Sequence, residues 1–508
     1  MAFAHCFSAQ TDLLSGRIVD VEVDTSPGLY SFSIVGLPDK EVEEARDRIR
    51  AAIKNSGFKS PKAKNVKVVI SLAPASLKKE GSSFDLSMAL SYLLSSKEVD
   101  FNNKNKIFLG ELSLDGGVRP IRGTLSLVKT AKDAGFEEIF IPEKNSKEAQ
   151  LIKGIKIFPT KNLKEVIDHL TGKKKIQETT GDDIKNTEVE PEIDISDIKG
   201  QEAGKRGLLI SVSGGHNISL FGPAGTGKTM LAKALQGILP PLTYDEIIEV
   251  TSIHSIAGAL ETDYITQPPF RSPHHTSSYV SLVGGGVYPK PGEITLSHRG
   301  VLFLDEFPEF EKRVIDALRE PLEDKKISVA RAKGVGVFPA DFILVAALNP
   351  CPCGNLGSSR TCTCTPISIE RYKKKITGPI SDRIDMWINV PLINYDKLSQ
   401  KSSENNESKK IRDKIEKVRK TQETRFTNSK RKIKLNGQMN SKEIEEFVPL
   451  DEKTRNTLNS AAEKMQISPR VYHKLIKLAR TIADIEGSDA VSVEHILEAL
   501  QYRNKTQQ

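Results

Sequence analysis

Gly222-Pro223-Ala224-Gly225-Thr226-Gly227-Lys228-Thr229 is the stretch on which the reading of the fold turns. It satisfies G-x-x-x-x-G-K-[ST] at every position. The apolar run Ile218–Phe221 precedes it, and Met230–Leu239 follows with helical spacing. A strand, a glycine-rich loop and a helix in that order predict a phosphate loop. The glycines let backbone N–H groups converge on a phosphate. Lys228 offsets charge on the β- and γ-phosphates of ATP, and Thr229 is the expected Mg²⁺ ligand. An ordinary glycine-rich turn does not require both flanks and every position at once.

Further out, Val301-Leu302-Phe303-Leu304 is an apolar strand ending in Asp305-Glu306. A buried strand that brings Asp305 beside the phosphates suits Mg²⁺ coordination, and Glu306 is placed to polarise the attacking water. Phe342–Leu348 is another apolar strand, and it ends in Asn349. Asn349 is a candidate for orienting that water and sensing the γ-phosphate; a plain turn residue before Pro350 is the other reading. Arg383 precedes the strand Met386–Val390. It is a candidate arginine finger for a neighbouring subunit, with a surface salt bridge as the alternative.

The chain has 508 residues, enough for about three domains. Apolar residues make up 38% and charged residues 28%, which excludes collagen-like, disulfide-scaffold and wholly disordered classes. No apolar run approaches the length of a membrane span, and the N-terminus lacks a secretory pattern, so the expected compartment is cytoplasmic. Residues 1–169 alternate strand-like and helical segments, an α/β pattern. A polar linker is expected over 170–192 and an α/β ATPase core over 193–395. A basic linker or helix is expected over 396–440, and helices over 441–508. The net charge is +8, and residues 401–440 hold 13 Lys/Arg against 5 Asp/Glu, so this stretch carries the whole excess. It is a candidate DNA-contacting or subunit-contacting segment, or a solvated linker.

Four of the five cysteines, Cys351, Cys353, Cys362 and Cys364, fall within one loop, 351–364. Four thiolates suit tetrahedral Zn²⁺, although C-x-C is tighter than the common spacing. A reduced cysteine loop and a redox switch are the alternatives. A structural ion here would brace Asn349. Lys326–Phe338 reads as a hairpin turning at Lys333-Gly334, with Arg331 and Lys333 at its tip. Such cations can grip DNA phosphates without reading sequence, or simply protect an edge strand from aggregation.

With these residues in hand, the chain resembles the ComM/YifB family of magnesium-chelatase-like AAA+ ATPases. The resemblance is carried by Ile34–Asp39, the phosphate loop, Arg271-Ser272-Pro273-His274-His275, Val283–Gly286, Pro291–Ile294, Val301–Phe307, Asn349-Pro350-Cys351-Pro352-Cys353-Gly354 and Ala479–Asp484. It implies an AAA+ core with a helical lid, assembling as a homo-hexameric ring. It implies ATP-driven branch migration of single-stranded or branched DNA during natural transformation. By matching motif, Arg383 becomes the arginine finger and Arg470 a sensor arginine at the start of a lid helix. The family also implies an insertion between Thr251 and Pro291. Its His274 and His275 are expected to project in different directions, so a structural role in the loop is favoured over a metal pair.

Residues 1–169 resemble the ribosomal-S5-like fold of the Lon protease domain. Lys79-Glu80-Gly81-Ser82-Ser83 fits the serine segment of its Ser-Lys dyad, with Ser83 as nucleophile. Leu125 stands where the lysine should be, and Lys129 is one turn further on. An apolar side chain cannot deprotonate a hydroxyl, so no peptidase activity is expected. A magnesium-chelatase-like metal-insertion subunit and a Lon-like protein remodeller are the alternative functions. The first block and the cysteine loop argue against the former, and Leu125 against the latter.

Overall fold

The structure is a computed structural model describing residues 2–179, 191–286, 290–331, 334–358, 360–376, 380–393 and 406–503. The chain forms two units, Met1–Lys185 with Tyr244–Ile265, and Asn186–Thr243 with Thr266–Gln508.

Alternation builds the first unit. Along Ser15–Pro27, Val19, Val21 and Val23 are buried while their neighbours are less so, the period expected of a strand with one covered face. Among the described residues seven strands form one mixed sheet, in the spatial order 31–35, 66–73, 15–27, 2–12, 106–108, 138–142 and 156–160. Helix Lys40–Asn55 presents Val42, Ala45, Ile49 and Ile53 to the core, and Asp39 caps it by accepting from Val42 N–H. Helix Asp85–Ser95 is buried nearly all round. Inside it, Asp85 is fully buried and accepts from Arg48 at 2.7 Å. Burial pushes the Asp85 carboxyl up to about 6, with Arg48 opposing.

The segment Tyr244–Ile265 belongs to this unit although it lies within 193–395, the stretch expected to form the ATPase core. Helix Tyr244–Ala257 meets helix Thr124–Asp133, where Gly123 N–H donates to Ser255 Oγ at 3.0 Å. Lys147 pairs with Asp263 at 2.8 Å. The expected linker also starts later than 170, because Thr179 bridges to Ile157 at the sheet edge.

The second unit holds a parallel sheet in the order 270–271, 301–304, 343–348, 218–221 and 386–389. Strand Ile343–Leu348 therefore stands between the phosphate-loop strand and the acidic strand. Its register pairs Leu348 with Phe221 and Ala346 with Leu304. Such strands, buried on both faces, read as continuous apolar runs. Their carboxyl ends open on one side, where open α/β sheets bind ligands.

Helices Ser441–Phe447, Glu452–Lys464, Pro469–Glu486 and Val493–Gln501 follow. Asn440, Asp451 and Ser468 cap the first three through their side chains. Within the basic stretch, residues Glu407–Phe426 form a helix. It is not a solvated linker: Ile415, Val418, Gln422 and Phe426 make a buried stripe. Arg419 donates to Val212 O at 2.7 Å, and Arg425 pairs with Asp484 at 2.5 Å. Lys410, Lys414, Lys417 and Lys420 remain exposed. No helix among the described residues is long and apolar enough to cross a membrane.

One seam joins the parallel sheet to these helices. His216 is fully buried, and its Nε2 lies 2.8 Å from Thr481 Oγ1. Burial pushes the imidazole down to about 4, helped by Lys477 and Lys474 and opposed by Asp385. The folded pKa lies below the unfolded value, so the unfolded chain binds the extra proton. Stability from this group is full above pH 6.5 and falls as acid approaches pH 4. Chemical denaturation of this unit should show wild type losing about 2 kcal/mol more than His216→Gln between pH 7 and pH 5. Equal losses would show that His216 is not held neutral.

Candidate functional site

Backbone geometry explains the glycines of the phosphate loop. A Cβ on Gly222 would lie 2.2 Å from Val390 O, so the neighbouring strand excludes any side chain there. Gly225 and Gly227 face open space, but their φ values of 78° and 89° favour glycine. Helix Lys228–Ile238 starts directly from the loop, its N-terminal N–H groups directed at the place where an anion would sit. Lys228 is buried and its ammonium donates to Gly222 O at 2.7 Å, Pro223 O at 2.8 Å and Asn349 Oδ1 at 3.0 Å. Burial holds it below the usual lysine range, with Asp305 opposing. Thr226 Oγ1 donates to Pro223 O at 3.0 Å. Thr229 Oγ1 donates to Asp305 Oδ2 at 2.9 Å. Glu306 N–H donates to Asp305 Oδ1 at 2.9 Å, from a left-handed backbone at φ 49°. Lys228, Thr229, Asp305, Glu306 and Asn349 thus gather from two neighbouring strand ends and one helix start.

His274 and His275 depart from expectation. Their rings lie side by side and tilted, with centroids 4.2 Å apart and planes 32° apart, instead of projecting in different directions. His275 Nδ1 lies 3.2 Å from Glu306 Oε2. Arg271 of the same string makes a two-pronged pair with Glu293 at 2.6 and 2.8 Å.

Arg383 and Arg470 meet at one carboxylate. Arg383 donates to Glu323 Oε2 at 2.5 Å, and Arg470 donates to Glu323 Oε1. Burial pushes the Glu323 carboxyl up, but the hydrogen bonds from Arg383 and Arg470 outweigh it and hold the group below its ordinary value. The Arg383 side chain is only 11% exposed, whereas that of Arg470 is 40% exposed. Lys474, one turn along from Arg470, pairs with the buried Asp385 at 2.8 Å. The helical region is therefore tied to the strand that follows Arg383.

The four cysteine sulfurs converge, all within 4.8 Å of one another. Cys351 Sγ lies 3.4 Å from Cys353 Sγ and 3.7 Å from Cys362 Sγ, and Cys353 to Cys362 is 3.6 Å. A tetrahedron with Zn–S bonds of about 2.3 Å has edges of about 3.8 Å, so these separations fit a zinc ion.

The hairpin forms as strands Lys326–Arg331 and Gly334–Pro339, with Arg331 opposite Gly334. Gly334 therefore starts the second strand instead of occupying the turn. Lys333 and the side chain of Arg331 lie outside the described residues.

In the first unit, Ser83 Oγ donates to Ala9 O at 3.0 Å. Leu125 is buried, its N–H donating to Glu148 Oε1 at 3.0 Å. Lys129 is exposed on helix Thr124–Asp133.

Three functional contacts escaped sequence reading. Gln201 donates to Thr226 O at 3.1 Å and Pro391 O at 2.7 Å, bracing the phosphate loop from below. Glu323 and the His275–Glu306 pair are the others. No spacing rule links residues so far apart; only the charge of Glu323 within Arg319–Asp324 was visible.

The fold and site define a phosphate-loop protein of the AAA+ magnesium-chelatase-like class. A family model described as "Magnesium chelatase, subunit ChlI" matches residues 194–398. "Subunit ChlI of Mg-chelatase" matches 21–145, and "Magnesium chelatase, subunit ChlI C-terminal" matches 405–503. The chain is 40% identical to Competence protein ComM of Haemophilus influenzae, over 99% of this chain and 98% of that one. It is likewise 40% identical to YifB of Escherichia coli, over 96% and 94%. Two partial likenesses are weaker: 24% to Lon protease 2 of Bacillus subtilis, over 31% of this chain and 30% of that one, and 22% to the DNA replication licensing factor Mcm6 of Drosophila melanogaster, over 61% and 36%. The chain belongs to the ComM/YifB family of magnesium-chelatase-like AAA+ proteins.

Proposed function

We propose that this chain is an ATP-hydrolysing motor that works as a homo-hexamer in the cytoplasm and drives branch migration of DNA. The observation that carries the ATPase part is the convergence of Lys228, Thr229, Asp305 and Asn349 at adjacent strand ends. In this reading residues 222–229 cradle the phosphates of ATP, and Thr229 and Asp305 hold Mg²⁺. Glu306 polarises the attacking water, with His275 orienting it, and Asn349 carries the state of the γ-phosphate to Lys228. Arg383 and Arg470 serve the nucleotide of a neighbouring subunit, leaving Glu323 when that phosphate arrives.

The DNA part rests on family membership, since the ComM name attaches its relative to competence. The likeness to a replication licensing factor and the hairpin 326–339, whose sequence carries Arg331 and Lys333, support it. Integration of incoming strands during natural transformation follows from the same reading. Residues 1–169 act as a Lon-like but inactive scaffold, because Leu125 and the bond from Ser83 to Ala9 O leave no base on the hydroxyl. Residues 193–395 are the ATPase core and 441–508 the lid, with 396–440 joining them.

A metal-insertion reading is favoured by one finding: the family models carry the name of a magnesium-chelatase subunit. The match over 21–145 also removes the first block as an argument against it. Measuring hydrolysis with forked DNA, with casein and with a porphyrin separates the readings. The motor reading expects stimulation by forked DNA alone. Stimulation by the porphyrin or by casein alone would overturn it.

A further inference from the structure

We propose that the cysteine loop is a structural Zn²⁺ centre whose occupancy sets the grip of the phosphate loop on nucleotide. The coupling rests on the ATP reading of that loop; the metal centre does not. Three observations carry it.

The first is the sulfur geometry. The sulfurs of Cys351, Cys353 and Cys362 lie at near-tetrahedral edge distances, and Cys364 lies within 4.8 Å of all three. Leu356 N–H donates to Cys351 Sγ at 3.4 Å, and the backbone N–H groups of Asn355 and Thr363 address Cys353. Backbone donors around ligand sulfurs are how proteins orient and support thiolates on a metal.

The second is the sparse apolar packing of the loop. Between Cys351 and Cys364 the sole large apolar side chain is Leu356, and it is exposed. Packing therefore does not hold the loop. A metal bound by four thiolates would, because ligation free energy becomes folding free energy.

The third is the connection to the nucleotide site. Ala224 N–H, within the phosphate loop, donates to Gly354 O at 3.1 Å. Gly354 sits at φ +74°, where a side chain is strained, and a Cβ there would press on Ala224 Cβ at 3.0 Å. Gly354 N–H donates to Cys351 O at 3.0 Å, so the turn at the first cysteine pair sets this contact. The strand end Asn349, which holds Lys228, lies two residues before Cys351. Past Cys364, helix Pro366–Ile376 returns the buried Tyr372 to hydrogen-bond the Asn349 backbone. The loop is thus anchored at Asn349 from both ends and touches the phosphate loop in the middle. Without the ion, the turn that presents Gly354 O to Ala224 keeps only its backbone hydrogen bonds and loses the cross-link between the two cysteine pairs.

The test uses the full chain. Protein purified from zinc-supplied cells should contain about one zinc per chain. Co²⁺ exchange should give the absorption of a tetrahedral tetrathiolate. A zinc-selective chelator, with Mg²⁺ kept in excess, should weaken binding of a fluorescent ATP analogue about tenfold, and zinc should restore it. Gly354→Ala leaves the thiols alone. It should keep its zinc and still bind the analogue about tenfold more weakly. Metal well below stoichiometric, or a non-tetrahedral cobalt spectrum, would overturn the centre. Unchanged nucleotide affinity in both the stripped protein and zinc-loaded Gly354→Ala would overturn the coupling. If the zinc-loaded wild type bound no nucleotide, the ATP reading would fall and the coupling with it, while metal content and spectrum still decide the centre.

Discussion

Glu306→Gln is expected to bind ATP as the wild type does and to hydrolyse it about 10²–10⁴-fold more slowly. The amide keeps the size and the backbone geometry of the residue, including the left-handed turn at φ 49°. It also keeps Glu306 N–H on Asp305, so the position of Asp305 next to Thr229 is preserved. What disappears is the basic oxygen that draws the proton from water. In the proposed reading nucleotide affinity depends on Lys228 and the loop amides, which the substitution does not touch. Titration with a fluorescent ATP analogue and a steady-state phosphate-release assay check both halves. A variant that lost nucleotide affinity together with turnover would assign Glu306 to binding. A variant that kept turnover would remove it from the chemistry. The contact with His275 adds a further point. A glutamate already engaged by a neighbouring side chain must present its other oxygen, or let go, before it can serve water.

Arg383→Ala is expected to abolish hydrolysis by about 10³-fold or more while leaving nucleotide affinity nearly unchanged. This loss should be rescued by mixing. Subunits carrying Arg383→Ala retain an intact phosphate loop, and subunits carrying Lys228→Ala retain an intact Arg383. Neither assembly alone hydrolyses ATP. A mixed ring contains interfaces where an intact loop faces an intact arginine, and activity should return there. The rationale is the convergence of Arg383 and Arg470 on Glu323. A single exposed ion pair contributes little. Two guanidinium groups sharing one carboxylate make a small pre-assembled anion site, in which Glu323 occupies the place a phosphate would take. A stand-in of this kind keeps both side chains aligned before a partner subunit arrives. If the mixture stayed as inactive as its components, the arginine would act within its own chain or only in folding. Size-exclusion chromatography of each variant separates loss of assembly from loss of chemistry.

How far the sequence was readable depends on the distance over which each feature is encoded. The phosphate loop, the acidic strand and the helical C-terminal region are written in consecutive residues. Their apolar periodicity and glycines are legible without the structure, whereas the side-chain caps at Asn440 and Asp451 are seen only in the fold. The strand order could not be read that way. Only the sheet shows that 343–348 separates the other two strands and so brings Asn349 to Lys228. The basic stretch was ambiguous because its charge was conspicuous while its apolar stripe, Ile415, Val418 and Phe426, is sparse. Charge density says where a segment can meet solvent, and the spacing of a few apolar residues says what it packs on. Tyr244–Ile265 was assigned with its sequence neighbours, and its place in the first unit rests on long-range contacts such as Gly123 with Ser255. Glu323 was legible only as one acid in an acidic, basic and apolar helix. Its significance arises from Arg383 and Arg470 arriving from 60 and 147 residues away.

The measurement that bears most directly on the central claim is branch migration on a synthetic three-strand DNA junction in the presence of Mg²⁺. Wild-type protein with ATP should release the displaced strand with time. Omission of ATP, or use of Glu306→Gln, should leave the junction intact while the protein still binds it. Strand release that needs no ATP, or sustained ATP hydrolysis on the junction with no release at all, would contradict the account.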